Sequence, residues 1–335
     1  MSLLSLEISS TFTTLLRYLP PEASHHLALR SLDIINFLGI KLIKDGTKKP
    51  PIHLFGREFK NRLGTAGGLD KDGEHINALS NLGLGFIEIG TVTPVSQLGN
   101  PKPRLFRDRK NLTLLNRMGF NNKGVHNLVE NIKSSERDCH LMVSIGKNYF
   151  TANEDAFEDY LLCMKNVYEV SDMISINVSS PNTKNLRLLQ QSNYLSHILQ
   201  LLKEEQLKLS QRYGYKPLIV KISPDISERE CNEIAEILNE QKIDGLITTN
   251  TTTDHNHSKG KGGLSGGLLF EKSTEVLRKM RKLLGKDFPI IASGGVMDES
   301  SYKAKLDSGA DLVQIYTGMI YKGPALIQKI LDIKD

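Results

Sequence analysis

Residues 218–222 read Leu-Ile-Val-Lys-Ile, a short apolar run that contains one lysine. A run rich in Ile and Val with little polar alternation is typical of a parallel strand that is buried on both faces. Further runs of this kind lie on both sides of it, and most are separated by enough chain for a helix. The candidate strands are residues 62–66, 86–90, 141–145, 173–178, 218–222, 245–249, 290–292 and 312–316. Eight such units predict an α/β fold, specifically a closed (β/α)8 TIM barrel.

Composition and motif spacing argue against several classes of protein. The net charge of +5 is small beside 43 basic and 38 acidic residues that are mostly interspersed, which disfavours nucleic-acid binding. Three separated cysteines without a Cys-x-x-Cys motif disfavour disulfides and cysteine-bound metals, so we expect no metal site. No Gly-x-Gly-x-x-Gly segment follows the first strand, which disfavours a Rossmann domain. We also find no apolar run of the ~18 residues that span a membrane and no secretory signal pattern.

The first 40 residues carry a different pattern. Two apolar stripes near helical spacing flank Pro20-Pro21, which predicts two short amphipathic helices joined by a proline turn. The stripes are Leu3, Leu4, Ile8, Phe12, Leu15, Leu16 and Leu19, then Leu27, Ile34, Ile35 and Leu38. The pattern leaves open whether they pack on the main domain or lie partly on a membrane. Because residues 44–51 read as a linker, we expect a two-helix extension over residues 1–45 and the barrel over residues 46–335.

Residues 93–122 form a segment that is too long for a plain βα loop. Residues 112–115 (Leu-Thr-Leu-Leu) predict one strand of a small hairpin within it. Residues 116–122 then read Asn-Arg-Met-Gly-Phe-Asn-Asn. Long insertions at the catalytic mouth of a barrel commonly build the substrate site, and we expect this one to do so.

Glycines cluster after the last two predicted strands. Gly294-Gly295 follows the seventh strand, and Tyr316-Thr317-Gly318 ends the eighth. These strand ends are the usual phosphate site of a (β/α)8 barrel, where glycine lets the backbone approach the anion. Gly266, in a glycine-rich loop over residues 262–267, is placed to close over the same point. The pattern therefore predicts a phosphorylated ligand, although tight turns alone would explain any single pair of glycines.

Lys221 and a set of asparagines indicate what the ligand is. A lysine inside an apolar strand is costly to bury unless it meets an anion, and its own strand contains no acidic residue. A cation there would stabilise the negative charge of a reduced isoalloxazine ring. Asn116, Asn177, Asn182 and Asn250 all fall at predicted mouth positions. Since an amide offers both a donor and an acceptor, four together favour a planar imide or amide ring.

Ser180 precedes Pro181 in the loop after the fourth strand, and the proline constrains it to an extended conformation. No Gly-x-Ser-x-Gly elbow surrounds it, so nucleophilic hydrolysis is unsupported. A base that removes a proton in a closed pocket requires neighbours that carry the proton away. The residues alone leave this role open.

Ten ordered segments between residues 21 and 324 resemble the class 2, quinone-linked dihydroorotate dehydrogenases. They are residues 64–74, 87–94, 99–107, 116–122, 145–148, 176–183, 221–225, 248–252, 262–266 and 313–318. Class 1 relatives have cysteine at the base position, whereas this chain has Ser180. So many ordered matches are far more specific than any single motif.

The resemblance implies that FMN lies across the barrel mouth and that Ser180 takes the C5 proton of dihydroorotate while the C6 hydride passes to flavin N5. The implied cofactor contacts are Gly67, Gly68, Leu69, Asp70, Lys71, Thr91, Asn177, Lys221, Thr249, Gly266, Gly295, Tyr316 and Thr317. The implied substrate contacts are Lys71, Asn116, Arg117, Met118, Gly119, Phe120, Asn177, Asn182, Asn250 and Thr251. Thr183 and Phe120 would flank the exit of the proton. The family has asparagine where this chain has Ser144, whose shorter hydroxyl would reach the flavin through water.

The resemblance also implies that the two N-terminal helices form an apolar tunnel for a membrane quinone. His25 and Arg107 match residues near its inner end. The implied protein is a monomer, peripherally bound to the cytoplasmic face of a bacterial inner membrane. It takes part in pyrimidine biosynthesis.

Three other functions remain to be weighed against this one. An FMN barrel that reduces uridine in tRNA would need a basic RNA-binding surface and a cysteine acid, and the sequence indicates neither. A flavin-free barrel isomerase or lyase would act on a phosphorylated metabolite. An inactive ligand-binding barrel would bind flavin without reacting with dihydroorotate.

Overall fold

The computed structural model describes residues 11–44 and 50–333. In chain order, its strands are β1 (Ile52–Leu54), β2 (Arg57–Phe59), β3 (Leu63–Thr65), β4 (Phe86–Val92), β5 (Leu105–Asp108), β6 (Thr113–Asn116), β7 (His140–Ile145), β8 (Met173–Asn177), β9 (Leu218–Ile222), β10 (Gly245–Thr248), β11 (Gly263–Gly266), β12 (Ile290–Ser293) and β13 (Leu312–Ile315).

Residues 11–16 are helical and are labelled α1. The other helices are α2 (Pro21–Phe37), α3 (Ile76–Ser80), α4 (Val125–Lys133), α5 (Ala156–Val167), α6 (Ser192–Tyr213), α7 (Glu228–Glu240), α8 (Phe270–Leu284), α9 (Glu299–Asp307), α10 (Thr317–Lys322) and α11 (Pro324–Leu331). Two 3₁₀ turns, η1 (Leu186–Gln190) and η2 (Gly267–Leu269), complete the described elements.

Eight parallel strands close into a barrel in the order β3, β4, β7, β8, β9, β10, β12 and β13, and β13 pairs back onto β3. The predicted (β/α)8 fold is therefore confirmed. Each of the eight predicted strands is present, and its ends differ from the expected ones by at most two residues. Sequential parallel strands joined by outer helices are the arrangement that buries strands on both faces.

Side chains inside the barrel form layers because alternate residues of a strand point to the same face. The lowest layer is apolar and consists of Phe86, Met142, Met173, Ile219, Ile247, Ile291 and Leu312. The β1–β2 hairpin closes the barrel below this layer through Phe59, with Ile52, Leu54 and Phe55 packed around it. Two residues further along the same strands, the layer is polar and buried: Glu88, Ser144, Ser175, Lys221, Thr249, Ser293 and Gln314. The barrel thus has an apolar base and a polar floor beneath its C-terminal mouth.

The outer helices present one apolar face to the barrel, as α7 illustrates. Its start is fixed by a capping box in which the Ser227 hydroxyl accepts from the Glu230 N–H and the Glu230 carboxylate accepts from the Ser227 N–H. Its buried residues Cys231, Ile234 and Leu238 recur at helical spacing. Such faces and the strands between them make up one continuous hydrophobic core.

Two additions sit at the mouth. The long insertion forms an antiparallel sheet in the order β11, β6, β5, and the strand expected at residues 112–115 is present as β6. Helices α1 and α2 are joined through Pro20, as the two apolar stripes predicted, and they enclose a cavity with the barrel. Three residues of the first stripe, Leu3, Leu4 and Ile8, lie outside the described residues, as does part of the expected linker. Among the described helices, none has the length and hydropathy needed to cross a membrane.

Candidate active site

A cleft of about 1050 Å³, including its open entrance, lies at the C-terminal ends of the barrel strands, and we call it the mouth cleft. It collects most of the residues predicted to bind a cofactor or substrate. The predicted residues on its wall are Gly67, Gly68, Lys71, Thr91, Asn116, Met118, Gly119, Phe120, Asn177, Ser180, Asn182, Lys221, Thr249, Asn250, Thr251, Gly266, Gly295, Tyr316 and Thr317. Residues from nearly every strand end converge there because the mouth is the one place where all eight strands terminate together.

The floor of the mouth cleft contains a buried ion pair. The Nζ of Lys221 lies 3.4 Å from Oε2 of Glu88, which projects from β4. Glu88 also accepts hydrogen bonds from Ser175 Oγ (2.6 Å), the backbone N–H of Gly67 (2.8 Å) and Nε2 of Gln314 (2.8 Å). Burial alone would raise the pKa of Glu88, but Lys221 and these donors hold it below its ordinary value. Glu88 is therefore ionised, and its ion-pair partner Lys221 lines the cleft.

A chain of hydrogen bonds runs along the wall above this floor. Asn177 Nδ2 donates to Thr91 Oγ1 at 2.8 Å, and the Thr91 and Ser144 hydroxyls lie 2.9 Å apart. Ser144 is buried and does not line the cleft, whereas its hydrogen-bond partner Thr91 does. Ser144 thus acts on the contents of the cleft only through Thr91.

The four predicted asparagines form two linked sets. Asn182 Nδ2 donates to Asn116 Oδ1 at 2.8 Å, which joins the loop after β8 to the end of β6. Asn250 Nδ2 lies 3.2 Å from Asn177 Oδ1 and 3.1 Å from Ser179 Oγ. Each set fixes the orientation of its amides and leaves further polar atoms for a ligand.

Ser180 and Lys71 are two reactive side chains on the same cleft wall. Ser180 is buried, and its Oγ accepts from the backbone N–H of Asn182 at 3.4 Å. Lys71 lies close to Arg104. Burial, followed by the positive charge of Arg104, lowers the pKa of Lys71 to about 8. An anionic ligand beside Lys71 would stabilise its protonated form, because the negative charge would offset the effects of burial and of Arg104.

The far end of the cleft is formed by backbone rather than by side chains. Gly294 and Gly295 have φ of +106° and +80°, and a Cβ on Gly295 would come 2.3 Å from Phe270 Cα. A Cβ on Gly266 would come 2.3 Å from the carbonyl oxygen of Leu112. These positions therefore require glycine, and they leave main-chain atoms on the cleft wall.

Three other residues predicted to bind ligand do not lie on the cleft wall. The Leu69 side chain faces the neighbouring cavity under the N-terminal helices. The Asp70 carboxylate accepts from two backbone N–H groups four and five residues further along, at 3.1 and 2.8 Å, so it stabilises a turn. The Arg117 guanidinium donates to the backbone carbonyls of residues 259 and 261 and stacks on Phe106. It therefore holds the β6 insertion against the loop before β11.

A second cavity, of about 1450 Å³ with its opening, lies between α1, α2 and the barrel, and we call it the extension cavity. His25 and Arg107, the two predicted quinone residues, both line it. Arg107 donates to the carbonyl of Arg17 at 2.7 Å and to Ser24 Oγ at 3.0 Å, while its buried Nε has no partner among the described residues. Burial, followed by the nearby charge of Lys71, lowers the pKa of His25 to about 3, so its imidazole is neutral. The remaining wall is almost entirely apolar.

Some residues of the site were missed from the sequence. Glu88 and Gln314 form the floor, and Ser265, whose Oγ lies 2.8 Å from Thr317 Oγ1, lines the wall. The strand that contains Lys221 has no acidic residue, so its partner has to come from another strand. Glu88 is a single acidic residue inside the apolar run Phe86-Ile87-Glu88-Ile89, just as Lys221 is a single basic residue inside β9. This shared pattern would have predicted Glu88 as the partner of Lys221. Within the described residues, no cluster of His, Cys, Asp or Glu is arranged to bind a metal ion.

Comparison with known proteins identifies the family. The family model described as dihydroorotate dehydrogenase matches residues 51–333. The chain belongs to the dihydroorotate dehydrogenase family. This confirms the resemblance seen in the sequence segments, and the family is flavin-dependent.

Individual relatives agree with this assignment over nearly their full length. The chain is 46% identical to a dihydroorotate dehydrogenase (quinone) of Acinetobacter baumannii over 321 residues, which is 94% of this chain and 96% of that protein. It is also 46% identical to the enzyme of the same description from Aliivibrio salmonicida over 322 residues, with the same coverage. The crystal structure of the Eimeria tenella dihydroorotate dehydrogenase in complex with ferulenol superposes with a TM-score of 0.85 at 34% identity, covering 93% of this chain and 89% of that one.

Proposed function

We propose that this chain oxidises (S)-dihydroorotate to orotate in de novo pyrimidine biosynthesis, with FMN as its cofactor and a membrane quinone as the electron acceptor. The observation that carries this proposal is the pairing of two unlike cavities. The mouth cleft is the more polar of the two and is lined by amides, the extension cavity is mainly apolar, and both include Leu105, Leu114 and Tyr316 in their walls. A reaction between a polar substrate and a lipid-soluble acceptor requires two such sites in contact with one redox group.

The cleft suits the phosphate end of FMN. Gly294 and Gly295, which follow β12, and Gly266, at the end of β11, bring bare backbone to the wall. The hydroxyls of Ser265 and Thr317 lie beside them, 2.8 Å apart. Main-chain N–H groups and hydroxyls are the donors that phosphate requires, and a side chain at the glycines would fill the space that the phosphate needs.

The floor suits the ring end. Lys221, Gln314 and Asn177 present donors to the cleft, and these match the carbonyl groups of a planar imide. Bound FMN would accept a hydride from the substrate and return two electrons to a second acceptor. Lys221 contributes a fixed positive charge that favours the electron-rich form of such a ring. Glu88 pairs with that lysine and holds it in place.

The amides and Lys71 suit dihydroorotate. Asn116, Asn182, Asn177 and Asn250 complement the imide edge of the substrate, because each amide can both donate and accept. Lys71 pairs with the substrate carboxylate. Phe120 lines the same part of the cleft and excludes water from the reacting atoms.

Ser180 is the base of the proposal. Its Oγ takes the C5 proton as its own hydroxyl proton passes outward, so that one proton leaves for each hydride removed. Thr183 Oγ1 is buried and has no hydrogen-bond partner among the described residues, which leaves it available to relay that proton. No histidine or carboxylate contacts Ser180 in the described part of the chain, so the relay depends on hydroxyls and water.

The extension cavity takes the quinone. The unpartnered Nε–H of Arg107 offers a donor to a quinone carbonyl at the inner end of an apolar passage. The neutral imidazole of His25 lies on the same wall, and its single N–H is directed to the Leu69 backbone. Large apolar side chains are exposed on the same helices, including Phe37 (89% exposed) and Ile34 (61%). Such a surface favours peripheral contact with a bilayer. The chain then works as a monomer on the cytoplasmic face of a bacterial inner membrane.

The decisive experiment follows the flavin itself. The purified full-length chain should be yellow with FMN, and anaerobic dihydroorotate should bleach its flavin absorbance in one rapid phase. Addition of a short-chain quinone should then restore the colour. A colourless protein would favour a flavin-free isomerase or lyase, and a yellow protein that dihydroorotate does not bleach would indicate an inactive flavin-binding barrel.

A further inference from the structure

Lys305, on α9, is a fully buried lysine that the proposed mechanism does not use. Its Nζ donates to Ser273 Oγ at 2.7 Å and lies 5.0 Å from the centre of the Phe270 ring. Within the described residues, no carboxylate forms an ion pair with it. A helix side chain leans toward the helix N-terminus, which places this amine on the mouth side of the barrel.

Burying an ammonium group without a negative partner is unfavourable, and a hydroxyl and an aromatic ring offset only part of the cost. Burial lowers the pKa of Lys305 to about 7, and Glu271 opposes this only partly. An apolar side chain would fill the same space at no electrostatic cost. The lysine is therefore explained best by a negative charge nearby that the protein itself does not supply.

The contacts of Lys305 lead directly to the glycine loop of the mouth cleft. Ser273 Oγ, which accepts from Lys305, lies 3.0 Å from the carbonyl oxygen of Gly294 and 3.0 Å from that of Phe270, so its one hydrogen is shared between these two acceptors. A Cβ on Gly294 would come 3.1 Å from the same Oγ, so loop and hydroxyl are in direct contact. The opposite side of Gly294 and Gly295 lines the cleft. One layer of backbone thus separates the lysine and its serine from the site assigned to the phosphate.

We propose that Lys305 is a positioning residue for the phosphate of FMN, and that its charge, acting from behind the Gly294-Gly295 loop, selects phosphorylated flavin over riboflavin. This inference rests on the proposed function. Ser273 transmits the effect by fixing the Gly294 carbonyl, and with it the orientation of the adjoining peptide. The phosphate supplies the missing negative charge, so the lysine and the ligand stabilise each other without direct contact.

The test compares Lys305→Met with the wild-type full-length chain. Binding of FMN and of riboflavin is measured by quenching of flavin fluorescence, and the ³¹P resonance of bound FMN is recorded. We expect FMN to bind about tenfold more weakly to the variant, the scale of one charge acting over several ångströms in a partly polar medium. Riboflavin affinity should change less than about twofold, since it carries no phosphate, and the ³¹P resonance should shift.

Lys147→Met is the matched control. Lys147 is also buried, but its Nζ donates to the backbone carbonyls of Asn148 and Thr151 beyond β7, away from the glycine loop. Its loss should leave the ratio of FMN to riboflavin affinity unchanged. If Lys305→Met does not fold, Ser273→Ala keeps the charge and breaks the contact with Gly294, and a smaller loss specific to FMN is expected.

Three results would overturn the inference. If Lys305→Met weakens the binding of FMN and of riboflavin equally, Lys305 has only a structural role. If FMN affinity and the ³¹P resonance are both unchanged, Lys305 is not coupled to the phosphate. If Ser273→Ala is measured in place of Lys305→Met, an unchanged ratio of FMN to riboflavin affinity would also show that there is no coupling to the phosphate. A wild-type chain that binds neither flavin would instead refute the proposed function, and this inference with it.

Discussion

The mouth cleft and the extension cavity share a wall at Leu105, Leu114 and Tyr316, yet they are built differently. The cleft rests on barrel strands, and its polar side chains are fixed by hydrogen bonds to one another, as in the Lys221–Glu88 pair. The cavity rests on two helices whose apolar side chains face both inward and out to solvent. Its polar residues, which include His25 and Arg107, lie among mainly apolar neighbours.

This difference corresponds to what each cavity has to hold. A polar substrate and a charged cofactor need fixed donors and acceptors, which strands supply because their backbone is locked by neighbours on both sides. A quinone with a lipid tail needs apolar surface and few polar contacts, which an amphipathic helix pair supplies. Mutations in one cavity should therefore affect one half of the reaction and leave the other intact.

The largest effect is expected for Ser180→Ala in the mouth cleft. General base catalysis contributes about a thousandfold, so bleaching of the flavin by dihydroorotate should slow by about that factor. Flavin content and the rate of reoxidation by quinone should stay at wild-type levels, because the Ser180 hydroxyl has no proposed role in flavin binding or in the reaction with quinone. Stopped-flow absorbance measures both half-reactions, and wild-type bleaching in this variant would remove Ser180 from the mechanism.

The next largest effect concerns the ion pair of the floor. Lys221→Met leaves the wholly buried Glu88 without its cation, and breaking a buried pair in this way costs about 3 kcal/mol of the free energy of unfolding. Lys221→Met combined with Glu88→Gln removes both charges and should recover most of that loss in a chemical denaturation experiment. The double variant should still react slowly with dihydroorotate, because the positive charge at the floor is absent. Equal stability of the single and double variants would contradict the pairing.

Glu88 also shows what the sequence can predict and what it cannot. The barrel and its strands follow from local patterns, because buried parallel strands and the glycines at their ends leave a signal within a few residues. The partner of Lys221 depends on which residues of β4 and β9 face each other across the barrel, and that depends on the register of every strand between them. The same limit applies to Asp70 and Arg117, because the sequence does not show that the Asp70 side chain bonds to the following turn and the Arg117 side chain to the loop before β11.

A third prediction tests the extension cavity alone. Arg107→Gln removes a charged donor from its inner end, and the KM for a short-chain quinone should rise about thirtyfold, as expected for the loss of one charge-assisted hydrogen bond. Anaerobic bleaching by dihydroorotate should not change. Arg109→Gln is the matched control, since Arg109 lies outside the cavity wall and stacks on Tyr18. A slower bleaching step in Arg107→Gln would mean that the two cavities are not functionally separate.

The solvent-facing surface of α1 and α2 should determine how strongly the chain binds lipid. Phe37→Ser and Leu38→Ser each remove an exposed apolar side chain that lies outside the extension cavity wall, and together they should weaken binding to phospholipid vesicles about tenfold. Leu207→Ser, which removes an exposed leucine from α6 on the barrel, is the control and should have no effect. Sedimentation with vesicles measures the bound fraction. If the control lowers binding as much as the helix variant, the apolar face of the extension is not the membrane contact.

The smallest expected effect is on the pH dependence of the free energy of unfolding, and it arises from His25 in the extension. Burial lowers the pKa of His25 from 6.5 to about 3, so the folded chain keeps this imidazole neutral while the unfolded chain protonates it below pH 6.5. Stability from His25 is complete above pH 6.5 and is lost as the pH falls toward 3, because the unfolded state then binds the extra proton. At pH 5.5 the loss is about 1 kcal/mol. His25→Gln should remove that part of the difference in unfolding free energy between pH 7.5 and pH 5.5, and an identical difference in both proteins would show that His25 is solvated in the folded state.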